Sequence, residues 1–280
     1  MGTHEEILGQ QKESWNGLAP VWKKWDEFIM AKLGPVGDAL IQAARLKLDA
    51  RILDVATGTG EPGLTAAKLV PRGSVVGVDL SGEMVNVAQN KASVLGIGNF
   101  QAQTVDGGAL PFGPDSFDTV ICRFGVMFFP DPLLTLKDMV RVLKPGGSLV
   151  LATWAPGNKN TWITGIAGTV NTILNLPAPP ADGPGMFRFA DPAVLSALLG
   201  QAGLKEASVT ECAGSNRYES IEQWWNFTSE IAHPVVMALE SSDQATRDRI
   251  KAAVVEKFQG FVKDGELVLP WSAWIGRGVK

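Results

Sequence analysis

The sequence predicts an α/β fold, a doubly wound, mostly parallel sheet with a helical cap. Three observations carry that prediction. Residues 51–60, Arg-Ile-Leu-Asp-Val-Ala-Thr-Gly-Thr-Gly, read as a buried strand running into a glycine-rich turn, with Pro62 at the expected start of a helix. Apolar strand-like runs then alternate with helical stretches up to about residue 155. Acids stand just past the ends of several of those runs, at Asp54, Asp79 and Asp106. In open sheets of this kind, ligands sit at the carboxyl ends of the strands.

Taken in order, residues 5–32 look helical. Trp15, Leu18, Trp22, Trp25 and Ile29 recur at three- and four-residue steps and make one apolar stripe. Ala19-Pro20 is expected to break or restart this helix. A second helix follows at about 36–47 and leads into the first strand. The second strand is 74–79, and Ser81 is placed to cap a helix over about 82–95. Residues 100–105 and 117–122 are the third and fourth strands, and Asp131-Pro132 opens the next helix. Leu143-Lys144-Pro145-Gly146-Gly147 reads as a turn, and 148–153 as the fifth strand. Prolines at 177, 179, 180 and 184 make 155–190 a loop. Helix returns at 191–202 and strand at 207–212. Two or three helices are expected over 219–262. A last strand is placed over 271–278, after Pro270, because proline cannot donate inside a central strand.

Composition narrows the function. The 280 residues are 45% hydrophobic and 19% charged, a globular balance. A net charge of −4 gives no basic footprint for nucleic acid. Cys122 and Cys212 are too few for a disulfide framework or a cysteine metal site, and no His/Asp/Glu cluster has metal-ligand spacing. No signal-like segment opens the chain and no apolar run suits a membrane span, so a cytoplasmic protein is expected. Oligomeric state is not legible.

Gly58, Gly60 and Gly63 spell G-x-G-x-x-G, which taken literally says dinucleotide. Charge argues otherwise. A pyrophosphate at a helix N-terminus wants no anion nearby, yet Asp54 and Glu61 flank the loop. A cationic ligand such as S-adenosylmethionine, with its sulfonium and ammonium groups, suits those acids better. Asp79 is placed to accept from both ribose hydroxyls, or simply to cap a helix. Asp106, before Gly107-Gly108, is placed to accept from an adenine amine, or belongs to a common Asp-Gly turn.

Five motifs stand in register over about residues 45–155: Asp54 to Gly60, Val78-Asp79-Leu80-Ser81 with Met84, Asp106 with Leu110-Pro111-Phe112, Ser116-Phe117-Asp118, and Leu143 to Gly147. Together they resemble the class I S-adenosylmethionine-dependent methyltransferases, and within them the ubiquinone/menaquinone-type small-molecule branch. The resemblance implies a Rossmann-like sheet of seven strands with the last antiparallel, the pair at 207–212 and 271–278 closing it, and a helical insert at about 213–266 between them. It implies that Asp54, Ala56, Thr57, Gly58 and Gly60 hold the methionine part, with Ala56 where many members carry glycine. Asp79 would bind the ribose, Leu80 and Met84 would flank the adenine, and Asp106, Gly107 and Gly108 would read its edge. Arg123 and Phe124 would line the methionine end.

All nine tryptophans lie outside residues 51–153. Trp15, Trp22, Trp25 and Trp154 are therefore candidates for a substrate pocket or lid, with simple packing as the alternative. The expected divisions are a lid over 1–35, a cofactor-binding core over 36–155, and a loop, insert and final strands over 156–280. His233 and Tyr218 are weak candidates for a general base. The expected function is metal-independent, in-line methyl transfer to an O, N, S or C nucleophile of a small molecule. C-methylation of a quinone precursor is the narrower alternative. An NAD-dependent oxidoreductase, or a protein that binds S-adenosylmethionine for a non-methyl purpose, are the alternatives of another class.

Overall fold

A computed structural model describes residues 4–105, 109–176 and 183–280. The chain divides into two compact units: Met1–Trp154 with Pro184–Cys212 and Ala273–Lys280, and Ala155–Gly183 with Ala213–Ser272.

The first unit opens with helices α1 (His4–Lys24) and α2 (Asp26–Ala44). Strands and helices then alternate: β1 (Arg51–Val55), α3 (Gly63–Leu69), β2 (Ser74–Asp79), α4 (Gly82–Val94), β3 (Phe100–Thr104), β4 (Phe117–Arg123), α5 (Pro132–Val142) and β5 (Leu143–Trp154). The sheet runs β3-β2-β1-β4-β5 with parallel pairing throughout. The order turns at β1, which lies between β2 and β4, so the crevice at this switch point opens at the carboxyl ends of β1 and β4. Ile52, Leu53, Val120, Ile121, Leu149, Val150 and Leu151 have no exposure, as expected of strands covered on both faces.

The expected caps are present. The Ser81 hydroxyl accepts from the Met84 amide at 3.2 Å, and the Asp131 carboxylate from that of Leu134 at 2.9 Å.

Beyond β5 the chain forms α6 (Thr161–Leu174), α7 (Pro192–Gln201), β6 (Lys205–Tyr218), α8 (Ile221–Ile231), α9 (His233–Glu240), α10 (Gln244–Phe258), β7 (Val262–Lys263) and β8 (Glu266–Val279). β8 pairs antiparallel with β5, Ser148 opposite Val279 through Trp154 opposite Ala273, and β6 takes the far edge. Seven strands thus lie on one path, and the two-residue β7 pairs with β8 off it.

Five sequence expectations need correction. The break at Ala19-Pro20 is absent: Pro20 lies inside α1 and the helices part at Trp25. A proline in a helix costs about 3 kcal/mol, which the docking of α1 onto α4 can offset. Pro35 lies inside α2, so the second helix starts at Asp26 rather than 36, and the 35/36 boundary cuts a continuous helix. The 155–190 loop contains α6, whose Gly165, Ile166, Thr169 and Val170 are buried at helical spacing. The prolines counted against it begin at 177, and those at 177–180 lie outside the described residues. The 143–147 turn is absorbed into β5 as an irregularity: Leu143 faces Phe117, and the next pair is Ser148 with Thr119. Finally, β8 begins at Glu266 and runs through Pro270. Its pairing with β5 starts at Ala273, so Pro270 removes no donor from that ladder.

In the second unit, Asn160 has no exposure and ties backbone groups of two separate segments. Its amide nitrogen donates to the carbonyls of Ala155 (3.0 Å) and Ser272 (2.9 Å), and its oxygen accepts from the Ser272 amide (3.0 Å). Asn160→Ala leaves those buried groups without partners. The expected loss is about 2–3 kcal/mol of stability, read as a lower urea midpoint at unchanged slope.

Candidate active site at the carboxyl ends of β1, β2 and β4

The site is built around Asp54, the fourth residue of β1, which has no exposure. Its Oδ2 accepts from the Thr57 hydroxyl at 2.7 Å and from the Gly63 amide at 3.1 Å. The carboxylate therefore spans the loop from its first turn to the start of α3. A Cβ at Gly63 would lie 2.6 Å from that oxygen, so only glycine lets the helix start this close. Thr57 in turn donates its amide to the Val78 carbonyl and fills the space over Gly77, where a Cβ would meet it at 2.9 Å. The loop is wedged between β1 and β2.

Two loop residues have left-handed backbone, Ala56 at φ 58° and Gly58 at φ 54°. Ala56 bears a side chain there, which is uncommon for a non-glycine residue. Nothing stands within 4 Å of a Cβ built at Gly58, so its glycine answers to backbone conformation and leaves open space above the loop. Gly60 differs: at φ 105°, its Cβ would press on Leu64 at 2.6 Å.

Asp79 ends β2. One carboxylate oxygen accepts from the Gly58 amide at 2.8 Å, the other from the Ser81 amide at 2.9 Å. Burial pushes its pKa up, against those bonds. Leu80 is half-buried and Met84 is 2% exposed, within the core-facing side of α4. Asp106, Gly107 and Gly108 lie outside the described residues.

At the end of β4, Arg123 donates to the Met30 thioether at 3.5 Å, and a cavity of about 130 Å³ lies beside it. Phe124 follows at φ 63°, an outlier for a bulky side chain, and stacks on Trp154 with ring centres 3.9 Å apart and planes at 14°. Gly125 admits no Cβ, because Ala56 occupies that position. The β1 and β4 loops thus touch across the switch point.

The N-terminal helices reach the same loops. Asp26 accepts from the Thr59 hydroxyl at 2.7 Å and pairs with Lys91 at 2.7 Å; Asn16 accepts from the Ser81 hydroxyl at 2.6 Å. The Trp15 ring packs edge-on against Trp22 at 6.1 Å and against Phe128, just past β4, at 5.5 Å. Trp25 lies at the helix joint against Phe28. Asp26 and Asn16 were not singled out by sequence, since a single Asp or Asn on a helix carries no motif.

The two base candidates lie in the second unit. His233 is exposed at the start of α9. Tyr218 is 1% exposed, packs on Trp224, and burial raises its pKa, which opposes phenolate formation.

Comparison with known proteins agrees with this geometry. Residues 46–171 match the family model of the methyltransferase domain. An uncharacterized protein of Mycobacterium tuberculosis is 38% identical over 136 residues, 48% of each chain. The ubiquinone/menaquinone biosynthesis C-methyltransferase UbiE of Geotalea daltonii is 43% identical over 103 residues, 36% of this chain and 44% of that one. The chain spans about half the length of the curated relatives it matches. The crystal structure of YcgJ from Bacillus subtilis superposes with a TM-score of 0.55 at 22% identity, covering 87% of this chain and 97% of that one, and shares the fold.

The carboxyl of Asp54 titrates late. Burial pushes its pKa up to about 7, against the Thr57 hydrogen bond and the charge of Arg123. A folded pKa above the unfolded one means that the native state holds the extra proton at mildly acid pH. This contribution is full below the unfolded pKa and is lost as pH rises through 7. Asp54→Asn should remove that slope: without ligand, the parent should lose more urea resistance than the variant between pH 5 and pH 8.

Proposed function

We propose that this chain, whose residues 46–171 form a class I methyltransferase domain, transfers a methyl group from S-adenosylmethionine to a small-molecule acceptor without a metal. The observation that carries the reading is a pair of carboxylates, the buried Asp54 and the half-buried Asp79, that close the β1 and β2 loops. Asp54 Oδ1 has no hydrogen-bond partner among the described residues, and its ionisation is opposed by burial. A cation nearby would relieve both conditions. A pyrophosphate would worsen them, which disfavours the NAD-dependent alternative.

The residues present fit the cofactor. Gly58 leaves the space above the loop open, and the Asp79 carboxylate at the rim of β2 suits two ribose hydroxyls. Leu80 supplies a half-buried apolar surface for the adenine, while Met84 contributes from below as part of the core. Asp54, Ala56, Thr57 and Gly60 shape the loop for the methionine part; Asp106 to Gly108 keep their proposed place at the adenine edge. The sulfonium supplies an activated methyl group when bound. The protein's own share is to orient the acceptor and exclude water. Phe124, half-buried and backed by the buried Trp154 on which it stacks, offers an apolar surface for that acceptor. Resemblance to the ubiquinone/menaquinone-type enzymes favours a quinone-like ring as acceptor and a carbon as the methylated atom. Among the described residues no helix is long and apolar enough to cross a membrane.

Residues 1–35 are proposed as a lid. Trp15 lies against Phe128, and the polar latches Asp26–Thr59 and Asn16–Ser81 hold α1 and α2 on the two cofactor loops. A lid that closes on ligand shields the reaction and completes the site.

Calorimetric titration with S-adenosylhomocysteine, S-adenosylmethionine and NAD tests the cofactor, and turnover against quinone precursors and other small nucleophiles tests the reaction. Asp79→Ala should weaken S-adenosylhomocysteine by about 2–3 kcal/mol, because ribose hydroxyls lose a charged acceptor; equal affinity would remove Asp79 from the ribose site. Hydrogen exchange over residues 5–30 should slow when S-adenosylhomocysteine binds. Equally strong protection in both states would make α1 permanent core rather than a lid.

A further inference from the structure

The end of the sheet opposite the crevice carries a pattern that the cofactor loops do not use. Helices α2, α3 and α4 each end shortly before β1, β2 and β3 begin, at the amino ends of these parallel strands. Hydrogen bonds draw the three connecting turns together. The Arg72 amide donates to the Leu48 carbonyl at 3.0 Å, and the Ser74 amide to that of Ala50 at 3.1 Å. The Asn99 side chain donates to the carbonyls of Ala67 and Val70, at 2.9 and 3.0 Å. Residues 45–51, 68–73 and 94–99 therefore form one continuous surface. Leu48 on it is 54% exposed, Leu69 48%, Leu95 52% and Val94 87%. A single exposed leucine needs no explanation. Here large apolar side chains from three separate turns share one face.

Charge adds an independent observation. The same three segments carry Arg45, Lys47, Arg51, Lys68 and Arg72 against one acid, Asp49, in a chain whose net charge is −4. All five cations are exposed. Among the described residues, none of them forms an ion pair. Asp118 feels Lys47 through space but is already taken by Lys144 at 2.8 Å. Lys68, in the last turn of α3, suits the helix dipole. That account does not extend to Lys47, Arg51 and Arg72, which lie outside the helices. Lys47 and Lys68 each immediately precede an exposed leucine, Leu48 and Leu69. A lysine stem lies along apolar surface while its ammonium stays in a polar layer. The leucines come from separate turns, so they offer no groove or single helix face to a docking helix. A nucleic acid would neutralise the cations and leave the leucines in water. An anionic lipid surface meets both, with phosphates for the cations and the acyl boundary for the leucines.

We propose that this amino-end face of the first unit docks on an anionic lipid surface. Leu48, Leu69 and Leu95 enter the boundary between head groups and acyl chains, and Lys47, Lys68 and Arg72 meet lipid phosphates. The unit then rests on the bilayer without spanning it. The crevice lies at the other end of the same strands and stays open to water. Docking therefore stands apart from the cofactor reading and does not rest on it.

Flotation of the full chain with vesicles tests this. Vesicles of phosphatidylcholine mixed with phosphatidylglycerol should carry the parent, vesicles of phosphatidylcholine alone should carry far less, and added salt should release it. Lys47→Gln with Lys68→Gln should weaken the binding about tenfold. Leu48→Ser with Leu69→Ser should weaken it by about the same factor and keep the urea midpoint of the parent. Lys257→Gln with Lys263→Gln removes the same charge from exposed positions of α10 and β7. That control should stay within about twofold of the parent. No binding to the anionic vesicles, an equal loss in the control, or a loss in the lysine pair with none in the leucine pair would overturn the proposal. Binding of an acidic glutamate–leucine peptide in place of the vesicles would also overturn it, in favour of a protein partner.

Discussion

The first unit depends on one buried carboxylate holding a loop closed. Asp54 has no exposure, yet it is an acid at the end of a central strand. Replacing it by an apolar residue would remove a desolvation cost, but also the partner of the Thr57 hydroxyl and the Gly63 amide. Around it the neighbours have little freedom. Gly63 must lack a Cβ because Asp54 is there, Gly77 because Thr57 is there, and Gly125 because Ala56 is there. These glycines lie at the start of α3, on β2 and just past β4, so the elements around the switch point close on one another without side chains between them. The site is therefore a consequence of packing around a charge rather than an addition to a finished fold.

That constraint explains what could be read from sequence. Acids at the ends of β1 and β2, the glycines between them, and the caps Ser81 and Asp131 are local signals, each set by its own few residues. They place the parallel half of the sheet and the loops after β1 and β2. Pattern fails where tertiary contact decides. Pro20 and Pro35 sit inside helices that pack on other elements, α1 on α4 and α2 on β4 and β5, contacts that can offset a local penalty. Pro270 lies in β8 ahead of the stretch paired with β5, which starts at Ala273, so it removes no donor from that ladder.

Two further features are legible in the sequence. The run Ile163, Ile166, Ala167, Val170, Leu174 has helical spacing, but the prolines that follow obscured it. Asp264-Gly265, with φ of 51° and 85°, joins β7 to β8 as a tight two-residue hairpin, and an Asp-Gly pair is a strong signal for that turn. Neither Asp26 nor Asn16 had such a signal. Their role follows from where α1 and α2 come to rest on the loops after β1 and β2, and only three-dimensional contact reveals it.

Electrostatics links the loop to the choice of ligand. Near the carboxyl ends of β1 and β4, Asp54, Glu61 and Asp38 stand about Arg123, while Asp26 is paired with Lys91. Such an excess of negative charge is unfavourable in isolation: burial holds Asp54 back from ionising until about pH 7. In a medium that screens poorly, a nearby cation returns more free energy than it would in water. A phosphate-rich ligand would add to the excess and raise the carboxyl pKa further. A ligand carrying a sulfonium and an ammonium would offset that excess and lower it. The same sheet topology serves both ligand types, so the fold does not separate them. The charges set on its loops do.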